Sequence, residues 1–371
     1  MGAKETLLFT LVVGLRFLVP LLIPRYPLPA VVGSLVLDAV DHSIFQFFGY
    51  DPPHYQSYDK AMDVYYLAIA YVSTLRNWTS PTAYRVARFL YFYRLVGVTA
   101  FELSGWRGLL LIFPNTFEYF FIAYEVVRTR RDPRRYTFRF WVWVAAVIWV
   151  VVKLPQEWWI HVAQLDFTDE LDSHPWMGPT IVAALLVAGA VYWWYVRPRL
   201  SPPDWPLRLA ADPIPDDMTT WQQRADWTAA NSAILSSTTA EKVGLVGLIT
   251  VIYGEALPGL DATAWQLFVG IGALVVVNTA MSLGSAHVRV GADNALVAFV
   301  VRVVINVALV VVFRAVLGAD RMDVPAALFF VAMLSLLTLL HDRFLPVHAV
   351  RMRSVNSDRP RQTGRPAALS E

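Results

Sequence analysis

The chain contains no cysteine, and this absence excludes several kinds of site at once. Without a thiol there is no disulfide framework, no thiolate metal site, no iron–sulfur ligation and no cysteine nucleophile. A metal centre would have to use histidine and carboxylate ligands. The seven histidines are too scattered for paired haem ligands or a membrane di-iron His-box. We therefore expect no haem and no iron–sulfur cofactor, while a divalent metal stays open.

Motifs of several common enzyme classes are also missing. The sequence has no P-loop, no HExxH, no G-x-S-x-G and no glycine-rich dinucleotide fingerprint, so a flavin or nicotinamide cofactor has no support. Nucleic-acid binding is not expected either. The only basic run of note is the arginine-rich tail, which membrane topology and anionic lipid explain better.

Charged residues are scarce: they make up 16% of the chain, whereas soluble domains carry about 25%. Hydrophobic residues make up 56%, and the mean hydropathy is +0.46. Several stretches approach the roughly 20 apolar residues that a membrane-spanning helix needs. The composition predicts an all-α, polytopic integral membrane helix bundle with about eleven transmembrane helices. The predicted segments are 5–23, 28–48, 61–76, 82–101, 108–127, 138–161, 176–196, 242–257, 263–284, 291–317 and 324–341.

Basic residues in the loops predict the orientation, because Lys and Arg of short loops collect on the cytoplasmic side. The arginine-rich loop 128–139 and the tail beyond residue 343 are predicted inside, and the acidic loop 166–172 is predicted outside. The alternation of the segments then places the N-terminus outside and the C-terminus in the cytoplasm. We expect a multi-pass protein of the plasma membrane.

Composition also divides the chain into four parts. Residues 1–197 form an N-terminal membrane block with a buried charged core, and residues 241–345 form a C-terminal membrane block. Residues 198–240 form a cytoplasmic connector rich in Pro and Trp, which is either an amphipathic helix on the membrane surface or an irregular link. Residues 346–371 are predicted to be a disordered, basic cytoplasmic tail.

Charge inside the apolar segments is the strongest functional signal, because a charged side chain at bilayer depth costs roughly 2.5 to 3.5 kcal/mol. The sharpest cluster is Asp38, Asp41 and His42, which a helix presents on one face. Two carboxylates and an imidazole can ligate a divalent metal or relay protons. Alternatively, an arginine of a neighbouring helix neutralises both aspartates in a purely structural ion-pair network.

Two further charged groups lie in the first block. Arg94 falls near the middle of the fourth segment and needs a carboxylate partner. The predicted partners are Asp38, Asp41 and Glu118. In the fifth segment, Pro114 cannot donate its backbone hydrogen bond, which predicts a kink lined by Asn115 and Glu118.

The sixth segment ends with Lys153, Glu157 and His161 at i+4 spacing, so a helix places them on one side. Lys153 and Glu157 form either an internal ion pair or part of a relay. Such a relay would lead outward from Glu118 to His161. In the tenth segment, Arg302 and Asn306 lie one turn apart and are expected to have a structural role.

These residues support three classes of function. The first is a proton- or cation-coupled transporter or permease-like protein. Its carboxylates would be Asp38, Asp41, Glu118 and Glu157, opposed by Arg94 and Lys153. The second is an intramembrane enzyme acting on a lipid or isoprenoid-like substrate through Asp38, Asp41 and His42. The third is a structural or assembly subunit. The expected partners are membrane lipids and a small ion or a lipid-like small molecule.

Overall fold

The computed structural model describes residues 3–50, 55–163, 165, 170–171, 173–199, 202–256, 263–289, 291, 293–317 and 324–357. These residues form helices joined by turns, and no β-strand occurs among them. The helices are α1 (Ala3–Leu18), α2 (Pro27–Phe47), α3 (Tyr55–Asn77), α4 (Pro81–Ser104), α5 (Gly108–Ile112), α6 (Thr116–Arg128), α7 (Phe138–Val147, continued below), α8 (Met177–Val191, continued by the π-helical Tyr192–Val196), α9 (Trp221–Asn231), α10 (Ser237–Ala256), α11 (Ala264–Val288), α12 (Ala295–Leu317) and α13 (Val324–Ser357).

Six stretches of the described helices are long and apolar enough to cross a membrane. They are Pro27–Phe47, Gly108–Arg128, Phe138–Ile160, Met177–Arg199, Ala264–Val288 and Phe330–Ser354. Each predicted segment overlaps a helix, so the all-α class is confirmed. Length and composition together indicate a membrane protein. The larger number of spans, about eleven, stays a prediction from the sequence.

Prolines interrupt two of the predicted segments in different ways. The fifth is broken, because α5 ends at Ile112 and α6 begins only at Thr116, with Pro114 between them. The sixth stays helical around Pro155. There α7 passes through the π-helical Ile148–Lys153, the single turn Leu154–Glu157 and the π-helical Trp158–Val162. Such π-helical turns are one way in which a membrane helix satisfies the backbone groups that a proline leaves free.

The last helix extends well past its predicted end at residue 341. Helix α13 continues to Ser357 and packs against α3 and α9. A prediction from apolar runs ends the helix at the first polar residues, His341 to Arg343. The helix continues because packing against neighbouring helices stabilises it. Residues 346–357 of the predicted tail are therefore helical, and residues 358–371 lie outside the described residues.

Contacts divide the chain into two compact units. The first comprises residues 1–85 and 210–371, and the second comprises residues 86–209. The four-part division predicted from composition follows the order of the chain instead, and it stays a prediction. The charged residues singled out in the sequence fall into both units.

Helix α3 forms the centre of the first unit. Nearly every residue from Ala61 to Leu75 is buried, although the helix is rich in Tyr, Ser and Thr. Burial against other helices explains how so polar a helix is accommodated. Tyr65 stacks on Phe17 of α1 with 5.0 Å between ring centroids and donates a 3.0 Å hydrogen bond to the Phe17 carbonyl. Tyr253 of α10 donates a 2.9 Å hydrogen bond to the Ala61 carbonyl.

Aromatic side chains of α6 and α7 form the core of the second unit. Phe117, Phe120, Phe121 and Tyr124 are fully or almost fully buried. Phe120 and Tyr124 pack against Trp141, and Phe117 packs against Phe121. Helix α8 is the opposite case. None of its residues is buried, and its composition is apolar all round. An apolar helix of this kind is typical of a lipid-facing span.

The described residues between 198 and 240 contain an irregular part and a helix, while the position of this connector at the cytoplasmic membrane surface stays a prediction. Its first part is irregular and lies on the loop after α6, where Asp204 and Arg208 donate backbone hydrogen bonds of 2.9 Å to the carbonyls of Arg130 and Thr129. Its second part is helix α9. This helix begins with a capping box in which Thr220 and Gln223 bond each other's backbone N–H groups.

Candidate functional site

Five charged side chains meet between α1, α2 and α3 in the first unit, and we call them the Arg16 cluster. They are Arg16, Asp38, Asp41, Asp59 and Asp63. Nη1 of Arg16 contacts the carboxylate of Asp41 and lies 2.6 Å from Oδ1 of Asp59. Nη2 contacts the carboxylate of Asp38 and lies 3.0 Å from Oδ1 of Asp63. One guanidinium thus contacts four carboxylates, and the five groups carry a formal charge of −3 when all are ionised.

Helical spacing produces this convergence. Asp38 and Asp41 are three residues apart on α2, and Asp59 and Asp63 are four residues apart on α3. Each helix therefore presents two carboxylates on one face. Asp38 lies eleven residues beyond Pro27, which is about 16 Å along the helix axis. That length is roughly half of the hydrocarbon thickness of a bilayer.

The Arg16 cluster has a closed side and an accessible side. The side chains of Arg16 and Asp41 are only 3% and 1% exposed, whereas those of Asp38, Asp59 and Asp63 are 27%, 33% and 43% exposed. Carboxylate oxygens of these three more accessible residues lie within 4.8 Å of one another. At this spacing a proton on one carboxyl group would lower the repulsion, because a protonated carboxyl group can donate a hydrogen bond to a neighbouring carboxylate.

The structure brings two of the three residues of the predicted Asp–Asp–His cluster together. Asp38 and Asp41 both contact Arg16, which is the arginine of a neighbouring helix that the structural interpretation requires. His42 is exposed, and its Nε2 lies 3.5 Å from the amide of Gln46. Among the described residues, the group with metal-ligand spacing is Asp38, Asp59 and Asp63. The predicted ligand set of Asp38, Asp41 and His42 stays a prediction.

In the second unit, a network forms around the helix break at Pro114. Arg94 of α4 donates a 2.8 Å hydrogen bond from Nη1 to the carbonyl of Phe113. Glu157 of α7 accepts a 2.9 Å hydrogen bond from the backbone N–H of Asn115. Charged side chains therefore satisfy backbone groups that the proline break removes from the helical pattern. The predicted kink is present as a full break.

The other members of this network are Glu118 and Lys153. Nδ2 of Asn115 donates a 2.9 Å hydrogen bond to Oε2 of Glu118, and Nζ of Lys153 lies 3.6 Å from the same oxygen. The ammonium of Lys153 also lies 4.2 Å from the centroid of the Tyr119 ring. The side chains of Glu118 and Lys153 are each 4% exposed. Two bases and two acids thus balance in this network, in contrast to the Arg16 cluster.

Arg94 has a different partner from the expected one, and the side chain at the outer end of the predicted relay is not described. The ion pair of Arg94 is with Glu157, at 3.9 Å, rather than with the expected Asp38, Asp41 or Glu118. The reason is the break at Pro114, which brings the end of α5 and the start of α6 against both α4 and α7. The side chain of His161 lies outside the described residues.

A third charged group, in the first unit, centres on Asp342, which the sequence pattern does not single out. Oδ1 of Asp342 lies 2.7 Å from Nζ of Lys242, and Oδ2 lies 3.0 Å from Nη2 of Arg302. Ser282 donates a 2.9 Å hydrogen bond to Oδ2 of the same residue. Asn306, one turn from Arg302, accepts a 2.7 Å hydrogen bond from Nδ2 of Asn278. The structural role expected for Arg302 and Asn306 stays a prediction.

The sequence held signals for the missed residues. Asp59 and Asp63 have helical i, i+4 spacing, but Asp59 precedes the third predicted segment and Asp63 lies at its start, where acidic residues are common without a functional role. Arg16 interrupts the apolar run of the first segment, and Asp342 directly follows the last segment. A lone charge in or beside an apolar run does not indicate which helix supplies its partner.

No protein-family model, no curated protein and no solved structure matches this chain. We therefore infer function from the chemistry of the charged clusters and from the membrane-compatible helices. The network around Pro114 is balanced and binds backbone groups, which is what a structural element requires. The Arg16 cluster has an excess of carboxylates and a partly exposed side, which is the chemistry of a site that takes up protons or cations.

Proposed function

We propose that the protein is a proton- or cation-coupled membrane transport protein and that the Arg16 cluster is its coupling site. The observation that carries this proposal is the contact of one buried guanidinium with four carboxylates of two other helices. A formal charge of −3 at this depth is too costly to remain uncompensated. The cluster must hold protons or a cation at neutral pH.

The magnitude of the repulsion supports this proposal. Two unit charges 4.8 Å apart repel by about 3.5 kcal/mol at an effective dielectric constant of about 20. A proton held by one of these carboxyl groups is one way to relieve the repulsion, because it removes one of the negative charges. A bound cation among the three more accessible carboxylates is the other way.

The exposure pattern favours reversible exchange at this site. The side chains of Arg16 and Asp41 are buried and hold the cluster in place. The three remaining carboxylates, of Asp38, Asp59 and Asp63, are accessible enough to release and rebind an ion. Glu118 and Glu157, the other predicted proton carriers, are each matched by a base. In our proposal they hold the helix break of the second unit rather than carry the ion.

The topology is part of the proposal. We propose about eleven spans, with an outside N-terminus and a cytoplasmic C-terminus, in the plasma membrane. Because the natural chain has no cysteine, single introduced cysteines report on the orientation without background. In intact cells, an impermeant maleimide should label Ser173→Cys and leave Ser354→Cys unlabelled until the membrane is permeabilised. The reverse pattern would contradict the orientation.

The metal-ligand spacing of Asp38, Asp59 and Asp63 is the observation that favours a second candidate, a membrane enzyme acting on a lipid or isoprenoid-like substrate. Three carboxylate oxygens suit Mg²⁺ or Mn²⁺, and either ion could polarise a phosphate ester. Mn²⁺ binding measured by electron paramagnetic resonance separates the candidates. Tight binding that is lost in Asp59→Asn favours the enzyme, and proton exchange without Mn²⁺ binding favours transport.

Flux across a reconstituted membrane tests the main proposal. The full chain in proteoliposomes should carry protons or alkali cations down an imposed gradient, and Asp38→Asn and Asp63→Asn should each abolish the flux. Asp226→Asn is the matched control, because this aspartate is half-exposed and pairs with Arg289 outside the cluster. If the folded wild type carries no flux and binds no ion, a structural or assembly role replaces both functional candidates.

A further inference from the structure

A cavity of about 420 Å³ lies in the first unit, away from the residues of the Arg16 cluster. Its walls come from α9, the start of α10, the second half of α11, the first half of α12 and the part of α13 around Pro346. This volume falls within the range of small-molecule sites, which is roughly 300 to 1,000 Å³. Nothing in the proposed coupling mechanism uses this cavity.

The lining of the cavity is strongly basic. Four basic residues contribute to the wall, and they are Arg224, Lys242, Arg302 and Arg343. The lining contains one acidic residue, Asp342, which contacts Lys242 and Arg302. With all five groups ionised, the lining carries a formal charge of +3. Hydroxyl groups of Thr228, Ser282 and Ser285 add further hydrogen-bonding capacity.

Two of the guanidinium groups carry donors without acceptors. Nη1 of Arg302 and Nη2 of Arg224 are buried, and neither has a hydrogen-bond partner. Arg224 is 5% exposed and is held in place because its Nη1 donates 2.8 Å hydrogen bonds to the carbonyls of Met218 and Thr219. The carboxylate nearest to its free nitrogen is that of the exposed Asp293, at 3.8 Å. Buried donors of this kind normally have a partner.

The charges around Arg224 favour an anion beside its guanidinium group. Burial lowers the pKa of Arg224 to about 10, the positive charge of Arg343 adds to this effect, and Asp293 opposes it. An anion in the cavity would offset the effect of Arg343 on this pKa, and it would supply acceptors for the buried donors. Arginine pairs well with phosphate, because its planar donors match two phosphate oxygens.

One wall of the cavity continues into an apolar surface. Val301 lines the cavity and is 52% exposed, and Val297, Val300 and Val304 on the same helix are also exposed. Ile305 and Leu345 belong to the lining as well. A ligand with an anionic head and an apolar tail can therefore place the head among the bases and the tail along α12.

We propose that this cavity binds the phosphate group of an anionic amphiphile, such as the headgroup of an acidic phospholipid. The site is independent of the proposed coupling site. The same phosphate chemistry has a second source in free inorganic phosphate, and the experiment below distinguishes the two.

The test uses the full chain, purified and delipidated in detergent. Short-chain phosphatidylglycerol, short-chain phosphatidylcholine and inorganic phosphate are titrated separately, and the melting temperature is recorded. Phosphatidylglycerol should raise the melting temperature in a saturable manner, and phosphatidylcholine should not. Arg224→Gln should raise the half-saturating concentration by about tenfold, which corresponds to about 1.4 kcal/mol.

Two further variants complete the test. Arg343→Gln removes a second lining charge and should weaken binding in the same way, so the proposal remains testable if Arg224→Gln does not fold. Arg353→Gln is the matched control, because this exposed arginine of α13 is outside the lining and bonds Asn231. It should bind like the wild type.

Each outcome has a defined meaning. Saturable stabilisation by inorganic phosphate, lost in Arg224→Gln, supports the phosphate site and assigns it to a soluble ligand. Equal effects of phosphatidylglycerol and phosphatidylcholine would overturn the proposal. Wild-type affinity for phosphatidylglycerol in both folded lining variants would also overturn it.

Discussion

Neutralising one carboxylate in each charged cluster should have opposite consequences for stability. Asp63→Asn removes one of the four carboxyl groups around Arg16, whereas Glu118→Gln removes the carboxylate that lies 3.6 Å from the ammonium of Lys153. Both substitutions keep the size and shape of the side chain. Their difference therefore reports on the charge balance of the two clusters rather than on packing.

The expected magnitudes follow from the distances. At an effective dielectric constant of about 20, the attraction between Asp63 and Arg16 at 3.0 Å is about 5.5 kcal/mol. The repulsion of Asp63 from Asp38 and Asp59, each within 4.8 Å, is at least about 7 kcal/mol in total. Partial exposure of Asp63 reduces both quantities. Asp63→Asn should therefore cost less than about 1 kcal/mol or stabilise the fold.

Glu118→Gln has no such compensation. The substitution leaves the buried ammonium of Lys153 without the carboxylate that it contacts. Such a change typically costs about 3 to 5 kcal/mol. The free energy of unfolding in detergent micelles, followed by the loss of helical circular dichroism, measures both effects. Asp226→Asn, at a half-exposed surface pair, should change stability by less than about 0.5 kcal/mol. If Asp63→Asn costs as much as Glu118→Gln, the charge-excess argument is wrong.

Two further predictions concern the positions that fix each cluster. Arg16→Gln should cost about 3 to 5 kcal/mol at neutral pH, and less at acidic pH, because protonated carboxyl groups need no counterion; an equal loss of melting temperature at both pH values would contradict this. Gly97→Ala should cost about 1 to 3 kcal/mol, because its Cβ would lie 2.1 Å from Cβ of Phe113. Gly189→Ala, with nothing within 4 Å, should melt like the wild type.

Helix positions could be predicted from the sequence, but their ends could not. Apolar runs locate the described helices that are long and apolar enough to cross a membrane, such as α8, because a lipid-facing helix needs apolar side chains. Helix α3 begins before its predicted segment, and α13 continues beyond its segment. In both cases, packing against protein stabilises helical residues that are too polar for an apolar-run criterion.

The charged residues could be predicted as individuals, but their partners could not. Helical spacing placed Asp38 and Asp41 on one face, and Pro114 predicted the break beside Glu118. Which helices approach each other is a property of the tertiary fold, so the sequence did not indicate that α1 supplies the counterion Arg16. For the same reason, Glu157 was not foreseen as the partner of Arg94.

The protonation state of the Arg16 cluster tests the central claim most directly. Infrared spectra of the purified chain at neutral pH, in buffer without metal ions, should show a protonated-carboxyl band that weakens in Asp38→Asn and Asp63→Asn and persists in Asp226→Asn. A cation that binds the cluster should remove the same band. If the wild type shows no such band and no added cation binds, all four carboxylates are ionised around one guanidinium, and the proposed coupling site does not exist.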